Sequence, residues 1–271
     1  MEKKQLTQTN STRKSKGLNP FITIIVLILV AEGIYHYVLG APSNFKGETT
    51  DGAPATFMGI IHKGGIIVPF LISFLLIVLV FSIERSFVIG KAGGTGGLTR
   101  FVIEIRKLLE RNEINEAIAL CDKQKGSIGN VVKEGLISYK SLANDTTLDK
   151  EQKLVSLNKT LEEATTLEMP MLEKNMTILA TIASIGTLIA LMGTVIGMIK
   201  AFFALGEGGG SPDAAALSVG ISEALVNTAL GIGTSALAII MYNFFTSKID
   251  HLTFKIDEVG LSIQQSFAAH H

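Results

Sequence analysis

The 271-residue chain is poor in residues that mark several common protein classes. It has one cysteine and no tryptophan, and 18% of its residues are charged, against about 25% in a soluble domain. A single cysteine excludes a scaffold of intrachain disulfides. Its 24 Lys and Arg residues balance 24 Asp and Glu residues, so no excess positive charge is available to bind nucleic acid. Hydrophobic residues make up 47%, and their concentration in long runs excludes a disordered chain.

Four of these runs are long enough to cross a bilayer, which takes about 20 residues at about 1.5 Å each. The sequence therefore predicts an all-α integral membrane protein. The predicted transmembrane segments are 20–39, 66–89, 177–205 and 217–245. The first has two interpretations, a retained helix or a cleaved signal peptide, because basic residues precede a short apolar core. Cleavage near Ala41 is disfavoured, since Leu39 stands where a small residue is needed.

The Lys and Arg residues that flank these segments predict the orientation, because short basic segments stay in the cytoplasm. Their numbers are five in 1–19, two in 40–65, thirteen in 90–176, none in 206–216 and two in 246–271. The pattern predicts a protein of the bacterial inner membrane with two cytoplasmic tails, 1–19 and 246–271. The segment 90–176 is then a cytoplasmic domain, whereas 40–65 and 206–216 are periplasmic.

Residues 98–176 of the segment 90–176 have helical periodicity, with breaks at Gly126 and near Asn144. Its last part is predicted to run as one helix into the third span, kinked at Pro170 rather than ended there. The cytoplasmic domain is therefore helical and continuous with the membrane helices. The GTGG stretch at 94–97 lacks the preceding strand and the Lys-Ser/Thr pair of a phosphate loop, so it is predicted to be a flexible connector.

Few ionisable residues lie in the predicted spans. Glu32 and His36, one turn apart, are predicted to reach outward to the polar surface. Glu84 and Arg85 near the inner end of the second span are predicted to be interfacial anchors. Glu223 lies on the polar face of the fourth span. A charged side chain costs about 2.5–3.5 kcal/mol of insertion free energy at the centre of such a helix. We therefore expect Glu223 to pair with another charge or to have a functional role.

Each of the last two spans has one face of small and polar residues. On the third span this face contains the GxxxG pair Gly193 and Gly197 together with Gly186, flanked by Thr187 and Thr194. The face on the fourth span contains Gly220, Glu223, Asn227, Gly231, Thr234 and Ser235, with Thr228 at its edge. A threonine there can contact a partner or water, or bind its own backbone carbonyl. Both faces are not expected to be covered within one chain, which predicts a homo-oligomer.

Two sequence blocks resemble the MotA/TolQ/ExbB proton-channel family, most closely its ExbB branch. They are TILATIASIGTLIALMGTVIGMIKAF at Thr177–Phe202 and VGISEALVNTALGIGTSALAIIMYNFF at Val219–Phe245. ExPxLEKN at Glu168–Asn175 agrees as well. The resemblance implies a three-helix core, to which the segment 20–39 adds an extra N-terminal transmembrane helix. Two family prolines are missing, since Gly186-Thr187 replaces Ala-Pro and Leu237 replaces a late proline.

The resemblance also implies partners and a site. It implies a pentamer whose last two spans enclose an ExbD-like partner with one span, on which an aspartate carries the proton. Thr194, Thr228 and Glu223 are the positions implied to face that path. The other polar residues predicted to line the pore are Asn227, Thr187, Thr234 and Ser235. Lipid surrounds the assembly, and no metal, cofactor or catalytic group is predicted.

The function implied is a stator subunit that uses proton motive force to energise TonB-dependent outer-membrane transport. A TolQ-like role in envelope constriction and a gliding or flagellar stator share the same pore, so both alternatives stay open. A secondary transporter is less favoured, because it needs broken helices and internal repeats. An enzyme needs a clustered set of catalytic groups, and the histidines are scattered at 36, 62, 251, 270 and 271.

The orientation is testable by cysteine labelling in cells permeable only at the outer membrane. We expect Ser211→Cys, in the segment without Lys or Arg, to react with an impermeant maleimide. Ser141→Cys, in the basic cytoplasmic segment, should stay unlabelled until the inner membrane is opened. Labelling of Ser141→Cys in sealed cells would reverse the assigned orientation.

Overall fold

The structure, a computed structural model, describes residues 19–50, 52–207 and 214–271. Within these ranges the chain is helical almost throughout, which confirms the all-α prediction. The helices are α1 (Pro20–Gly33, extended by a π-helical turn, Ile34–Leu39), α2 (Phe57–His62), α3 (Ile67–Ala92), α4 (Leu98–Glu110), α5 (Ile114–Gln124), α6 (Gly126–Ala143), α7 (Lys150–Glu173), α8 (Met176–Glu207) and α9 (Ala214–His270). Nearly all of the segment 1–19, and Ser211, lie outside the described residues.

Four helices among the described residues are long and apolar enough to cross a membrane: α1 with its π-helical turn, α3, α8 and α9. The last of them continues well beyond its apolar half. Residues 246–270, predicted as a tail, extend α9 as one helix of 57 residues. The lower half of α9 carries apolar residues at helical spacing, such as Ile256, Ile263 and Phe267, and these are buried against α4 to α7. This packing continues the helix beyond the apolar span.

The connection into the third span is not one kinked helix, and that prediction was wrong. α7 continues through Pro170 and ends at Glu173, and α8 begins at Met176. Between them Asn175 has a φ of 64°, a left-handed conformation that ends a helix. Asparagine adopts this region more readily than most residues, so the break falls five residues after the proline.

A buried ion pair holds this junction against α3. The guanidinium of Arg85 lies 2.7 Å from the Glu84 carboxylate and is 1% exposed. It also donates to the carbonyl oxygens of Met171 (3.3 Å) and Leu172 (3.4 Å), which lie in the last turn of α7. Glu84 in turn accepts from the Asn175 amide at 3.0 Å. The pair therefore joins the second span to the α7–α8 junction, and the prediction that both residues anchor the span at the membrane interface stays a prediction.

The connector between α3 and α4 is also fixed rather than flexible. The backbone N–H of Thr95 donates to the Gln124 carbonyl at 2.8 Å. The Gln124 side chain, itself buried, donates back to the Gly93 carbonyl at 2.7 Å. These bonds tie the GTGG stretch to the end of α5, because the amide of Gln124 satisfies a carbonyl at the C-terminus of α3.

Helices α4 to α7 and the C-terminal half of α9 enclose one apolar core with the C-terminal end of α3. Cys121 lies in this core, and burial, reinforced by Asp122, raises the pKa of its thiol to about 12. The thiol is therefore protonated at neutral pH, and we expect it not to react with maleimides in the folded protein. Introduced cysteines can thus be read without a native background.

The outer halves of the last two spans pack antiparallel along their small faces, and we call this contact the seam. Facing positions along it are Gly186 with Ser235, Ala190 with Gly231, Gly193 with Asn227, Gly197 with Ala224, and Ala201 with Gly220. Added methyl groups at these glycines would meet atoms of the other helix at less than ordinary contact distance. The two small faces therefore cover each other, and the prediction that one chain cannot cover both was wrong.

The faces that remain exposed on these two helices are largely apolar. Exposed large side chains include Leu188, Val195 and Phe202 on α8 and Leu225, Ile232 and Ile240 on α9. Such a surface suits lipid tails or an apolar helix of another chain. These faces, and not the glycine faces, are the ones available for contacts outside the chain.

Two glycines on α9 provide a matched test of the seam. A methyl at Gly231 would overlap Ala190 and lie 2.8 Å from the Gly186 carbonyl oxygen, whereas one at Gly233 meets nothing within 4 Å. We expect Gly231→Ala to lower the free energy of unfolding by about 1–3 kcal/mol through overpacking. Gly233→Ala should raise it by up to about 1 kcal/mol through helix propensity. Thermal unfolding in mild detergent measures both, and equal stability of the two variants would contradict the seam.

Candidate functional site

Two threonines face each other across the seam near the middle of both spans. The hydroxyl oxygens of Thr194 on α8 and Thr228 on α9 are 2.5 Å apart. Each hydroxyl also lies 3.1 Å from the carbonyl oxygen four residues earlier in its own helix, that of Ala190 or Ala224. Both side chains are half-buried, at the edge where the seam meets the exposed apolar faces.

The pair has two hydroxyl hydrogens but three possible acceptors, which are the hydroxyl oxygen of the other threonine and the carbonyl oxygens of Ala190 and Ala224. At 2.5 Å one threonine donates to the other, and the acceptor threonine donates to its own helix carbonyl. Rotation of both hydroxyls reverses the direction of this short chain without moving the helices. The sequence allowed two roles for these threonines, a bond to their own backbone or a contact with another group. The structure shows both at once. A hydroxyl with a free lone pair is still able to accept from a third group.

Glu223 lies about 7.5 Å further along α9 from Thr228, five residues away at the helical rise. Its carboxylate is 2.7 Å from the ammonium of Lys200 on α8, and its side chain is 7% exposed against 54% for Lys200. A methyl group at Gly65 would overlap the same carboxylate, so this loop residue approaches it closely. The charge of Glu223 is thus paired within the chain, which offsets part of the cost of its burial.

Asn227 connects the seam to the loop between α2 and α3. It is completely buried, its amide donates to the Gly64 carbonyl at 2.9 Å, and it packs against Gly193. Its carbonyl oxygen has no hydrogen-bond partner among the described residues. In the single chain Asn227 therefore occupies the interior, where it fixes α9 to the outer end of α3.

The remaining polar positions divide between the interior and the edge of the seam. Thr234 and Ser235 are buried between the helices, and Ser235 lies against Gly186. The Ser235 hydroxyl has no partner in the described part of the chain. Thr187 lies two turns before Thr194 and is half-buried like it. The structure thus groups Thr187, Thr194 and Thr228 at the half-open edge and encloses the other polar residues.

Sequence reasoning missed Lys200 as the partner of Glu223. A signal for it exists, because both residues lie about the same number of positions from the centre of the connecting loop. In an antiparallel helix pair such residues face each other. The chain thus supplies its own cation for the glutamate.

The segment between α1 and α3 folds as a compact cap over the end of the seam near Glu223. The Tyr35 ring stacks on His62 with 4.5 Å between ring centroids, and its hydroxyl donates to the His62 carbonyl at 3.2 Å. The Asn44 amide bonds the carbonyls of Val38 and Leu39, where α1 ends. Burial, and then the neighbouring Lys63, lowers the pKa of His62, so its ring is neutral at pH 7. The cap ties the first helix to the loop that contacts Asn227 and Glu223.

Within the described ranges, no group of three His, Cys, Asp or Glu side chains is placed to share a metal ion. Glu32 and His36 pair with each other at 3.1 Å and are more than half exposed. The seam is accordingly a set of hydroxyls, one amide and one ion pair in an otherwise apolar helix pair.

The sequence from residue 124 to 258 matches the model of the MotA/TolQ/ExbB proton channel family. This range contains the hydroxyl pair Thr194–Thr228 and the ion pair Lys200–Glu223, whereas the loop that contacts Asn227 and Glu223 lies before it. The chain belongs to the MotA/TolQ/ExbB proton channel family. The resemblance inferred from the sequence motifs is confirmed.

Individual relatives support the same conclusion over shorter stretches. The chain is 42% identical over 84 residues to the biopolymer transport protein ExbB of Helicobacter pylori strain J99, which is 31% of this chain and 57% of that protein. It is 34% identical over 113 residues to the protein of the same name from Xanthomonas campestris pv. campestris, or 41% and 44% of the two chains. The Tol-Pal system protein TolQ of Haemophilus influenzae is 36% identical over 83 residues, 31% and 36% of the two. The chain spans about half the length of the relatives it matches.

The ion pair is testable by a double-mutant cycle. Lys200→Met leaves the Glu223 carboxylate buried without its cation, so we expect a loss of about 1–3 kcal/mol in the free energy of unfolding. In a Glu223→Gln background the same Lys200 substitution should cost little, because no buried charge is left unpaired. Unfolding in mild detergent at neutral pH measures all four proteins. An equal cost of Lys200→Met in both backgrounds would show that the pair contributes nothing.

Proposed function

We propose that this chain is the ExbB-like subunit of a proton-driven stator in a bacterial inner membrane. In this role it converts proton motive force into mechanical work that energises TonB-dependent transport across the outer membrane. The observation that supports the proposal most is the Thr194–Thr228 hydroxyl pair at mid-span, on two helices that provide no free carboxylate at that depth.

A proton needs a titratable group to cross hydrocarbon, because a bare charge there is costly. The segments 176–206 and 214–245 contain a single carboxylate, Glu223, and it is paired with Lys200. Hydroxyls relay a hydrogen bond but do not hold a charge-neutralising proton near neutral pH. The acid must then come from a partner, and the family resemblance suggests an ExbD-like protein with one span and a membrane aspartate.

The threonine pair suits contact with such an acid. An ionised carboxylate at the half-open edge accepts from a threonine hydroxyl, whereas a protonated one donates to it, and the pair reverses direction between the two. Each proton that crosses yields about 2.3 kcal/mol per 100 mV. A neutralised partner helix is able to move past the apolar surface that contains Leu225 and Ile232. We propose that this motion reaches a periplasmic TonB-like protein.

The assembly proposed is a homo-pentamer around the partner helices, with both termini in the cytoplasm. The apolar faces left exposed on α8 and α9 are the surfaces that neighbouring subunits, the partner and lipid would cover. The seam itself lies inside each subunit. Five copies would therefore present five threonine pairs to the enclosed helices, each at the same depth.

A TolQ-like subunit of an envelope-constriction system is the second candidate. The match to TolQ of Haemophilus influenzae favours it, because the matched stretch has an identity similar to those of the ExbB matches. A gliding or flagellar stator would use the same helices with another partner. A secondary transporter is disfavoured, since α8 continues unbroken across its span, whereas such sites use interrupted helices.

The hydroxyl pair is tested by Thr194→Val/Thr228→Val, which keeps shape and removes both hydroxyls. We expect proton-driven uptake to fall about tenfold or more, because each lost bond to a charged group is costly, while the partner still co-purifies. Thr→Ser at both positions should restore uptake. Thr181→Val is the matched control, since Thr181 lies exposed on α8 and bonds only its own helix carbonyl. Full uptake with full assembly in the double valine variant would refute the relay.

A further inference from the structure

A cavity of about 610 Å³ lies where α3 leaves the apolar span and meets the cytoplasmic domain. Its walls come from the inner end of α3, the α3–α4 connector, the start of α6 and the end of α7. Four cations line it: Arg85, Lys91, Lys125 and Lys174. It is separate from the seam, because no residue of the outer halves of α8 and α9 contributes to it.

Acids near this cavity balance only part of its positive charge: Lys174 also lies in the field of Glu84. Arg85 is paired with Glu84, but the three lysines have no carboxylate within ion-pair distance among the described residues. One acid lies on the wall, Glu168, and its carboxylate accepts from Asn130 at 2.8 Å. The excess of positive charge around this half-open cavity favours an anion.

The start of α6 adds hydrogen-bond donors on the same wall. This helix has 18 residues and begins at Gly126 without a side-chain cap. Its first N–H groups have no acceptor inside the helix, and the helix dipole makes this end positive. Ser127 in the first turn lines the cavity, is completely buried, and its hydroxyl has no hydrogen-bond partner in the described chain. Buried hydroxyls are normally satisfied, and a phosphate oxygen accepts from both kinds of donor.

The depth of the cavity indicates the source of the anion. α3 has 26 residues, about 39 Å at the helical rise against about 30 Å of hydrocarbon. Its last turns therefore reach the headgroup layer. The walls between the lysines are apolar and include Val88, Ala92 and Met171, which suits the glycerol and upper acyl region of a lipid. We propose that this cavity binds a phosphate-bearing anion, supplied as the headgroup of an anionic phospholipid of the inner leaflet.

Binding there would act on the junction with the third span. Arg85, on the cavity wall, also holds the last carbonyls of α7, and Lys174 immediately precedes Asn175 where the chain turns into α8. A bound headgroup would screen the lysines from one another and fix the end of α7 against α3. The lipid is thereby coupled to the angle at which the pore helix enters the membrane.

Native mass spectrometry of delipidated full-length protein in mild detergent tests the proposal, with phosphatidylglycerol and phosphatidylcholine as probes. We expect phosphatidylglycerol to bind the native chain at least about tenfold more tightly than the zwitterionic lipid. Lys91→Gln/Lys125→Gln should weaken the binding of phosphatidylglycerol about 30-fold, because each lysine near an anionic lipid contributes about the same favourable energy and two are removed. Lys107→Gln/Lys159→Gln, two exposed lysines away from the cavity, removes the same charge and should leave binding unchanged.

A serine variant and a titration with inorganic phosphate separate a lipid site from a site for free phosphate. Ser127→Ala should weaken phosphatidylglycerol binding without lowering the Tm, because the lost hydroxyl has no protein partner. Inorganic phosphate is titrated against both lysine variants by the shift in Tm. Stabilisation by phosphate alone, lost in Lys91→Gln/Lys125→Gln, would retain the anion site and assign it to free phosphate. Equal lipid binding by the two lysine variants, or no binding of either probe, would overturn the proposal.

Discussion

The close approach of α8 and α9 is the constraint on which the rest of the membrane part depends. Glycine or alanine at 186, 190, 193 and 197 lets the two backbones come near enough for side chains to meet across the seam. Only at this separation do the Thr194 and Thr228 hydroxyls reach each other and Lys200 reach Glu223. Larger residues would separate the pairs and leave polar groups unsatisfied in an apolar surrounding, where each costs free energy.

Charge is handled in two different ways along the membrane axis. At the inner end Arg85 and Glu84 are buried together and also satisfy helix carbonyls, and further out Lys200 pairs with Glu223. Between these levels the described parts of α8 and α9 offer hydroxyls and the Asn227 amide but no further carboxylate, so in the proposed role they position a proton carrier that a partner supplies. This division explains why a channel subunit of this kind would depend on a second protein for its titratable group.

Much of this architecture could be predicted from the sequence, because hydropathy and small-residue spacing report directly on helices and their faces. The sequence pattern correctly places Glu223 and Asn227 on one polar face of α9. The pattern does not show which helix covers that face. The face packs against α8 of the same chain rather than another subunit. The break at Asn175 and the clamp by Arg85 were missed, since both depend on contacts between residues far apart in sequence. Lys200 was missed because its pairing with Glu223 depends on how the two helices align, which the pattern of a single helix face does not contain.

The central claim is that this chain positions a proton carrier without containing one. Proton flux into proteoliposomes under an imposed membrane potential, followed with an enclosed pH dye, tests it most directly. Vesicles with the chain alone should leak no more than empty vesicles, because the mid-depth groups are hydroxyls and Glu223 is paired. Vesicles with the chain and its co-purified partner should conduct. Conduction by the chain alone at the rate of the complex would contradict the account.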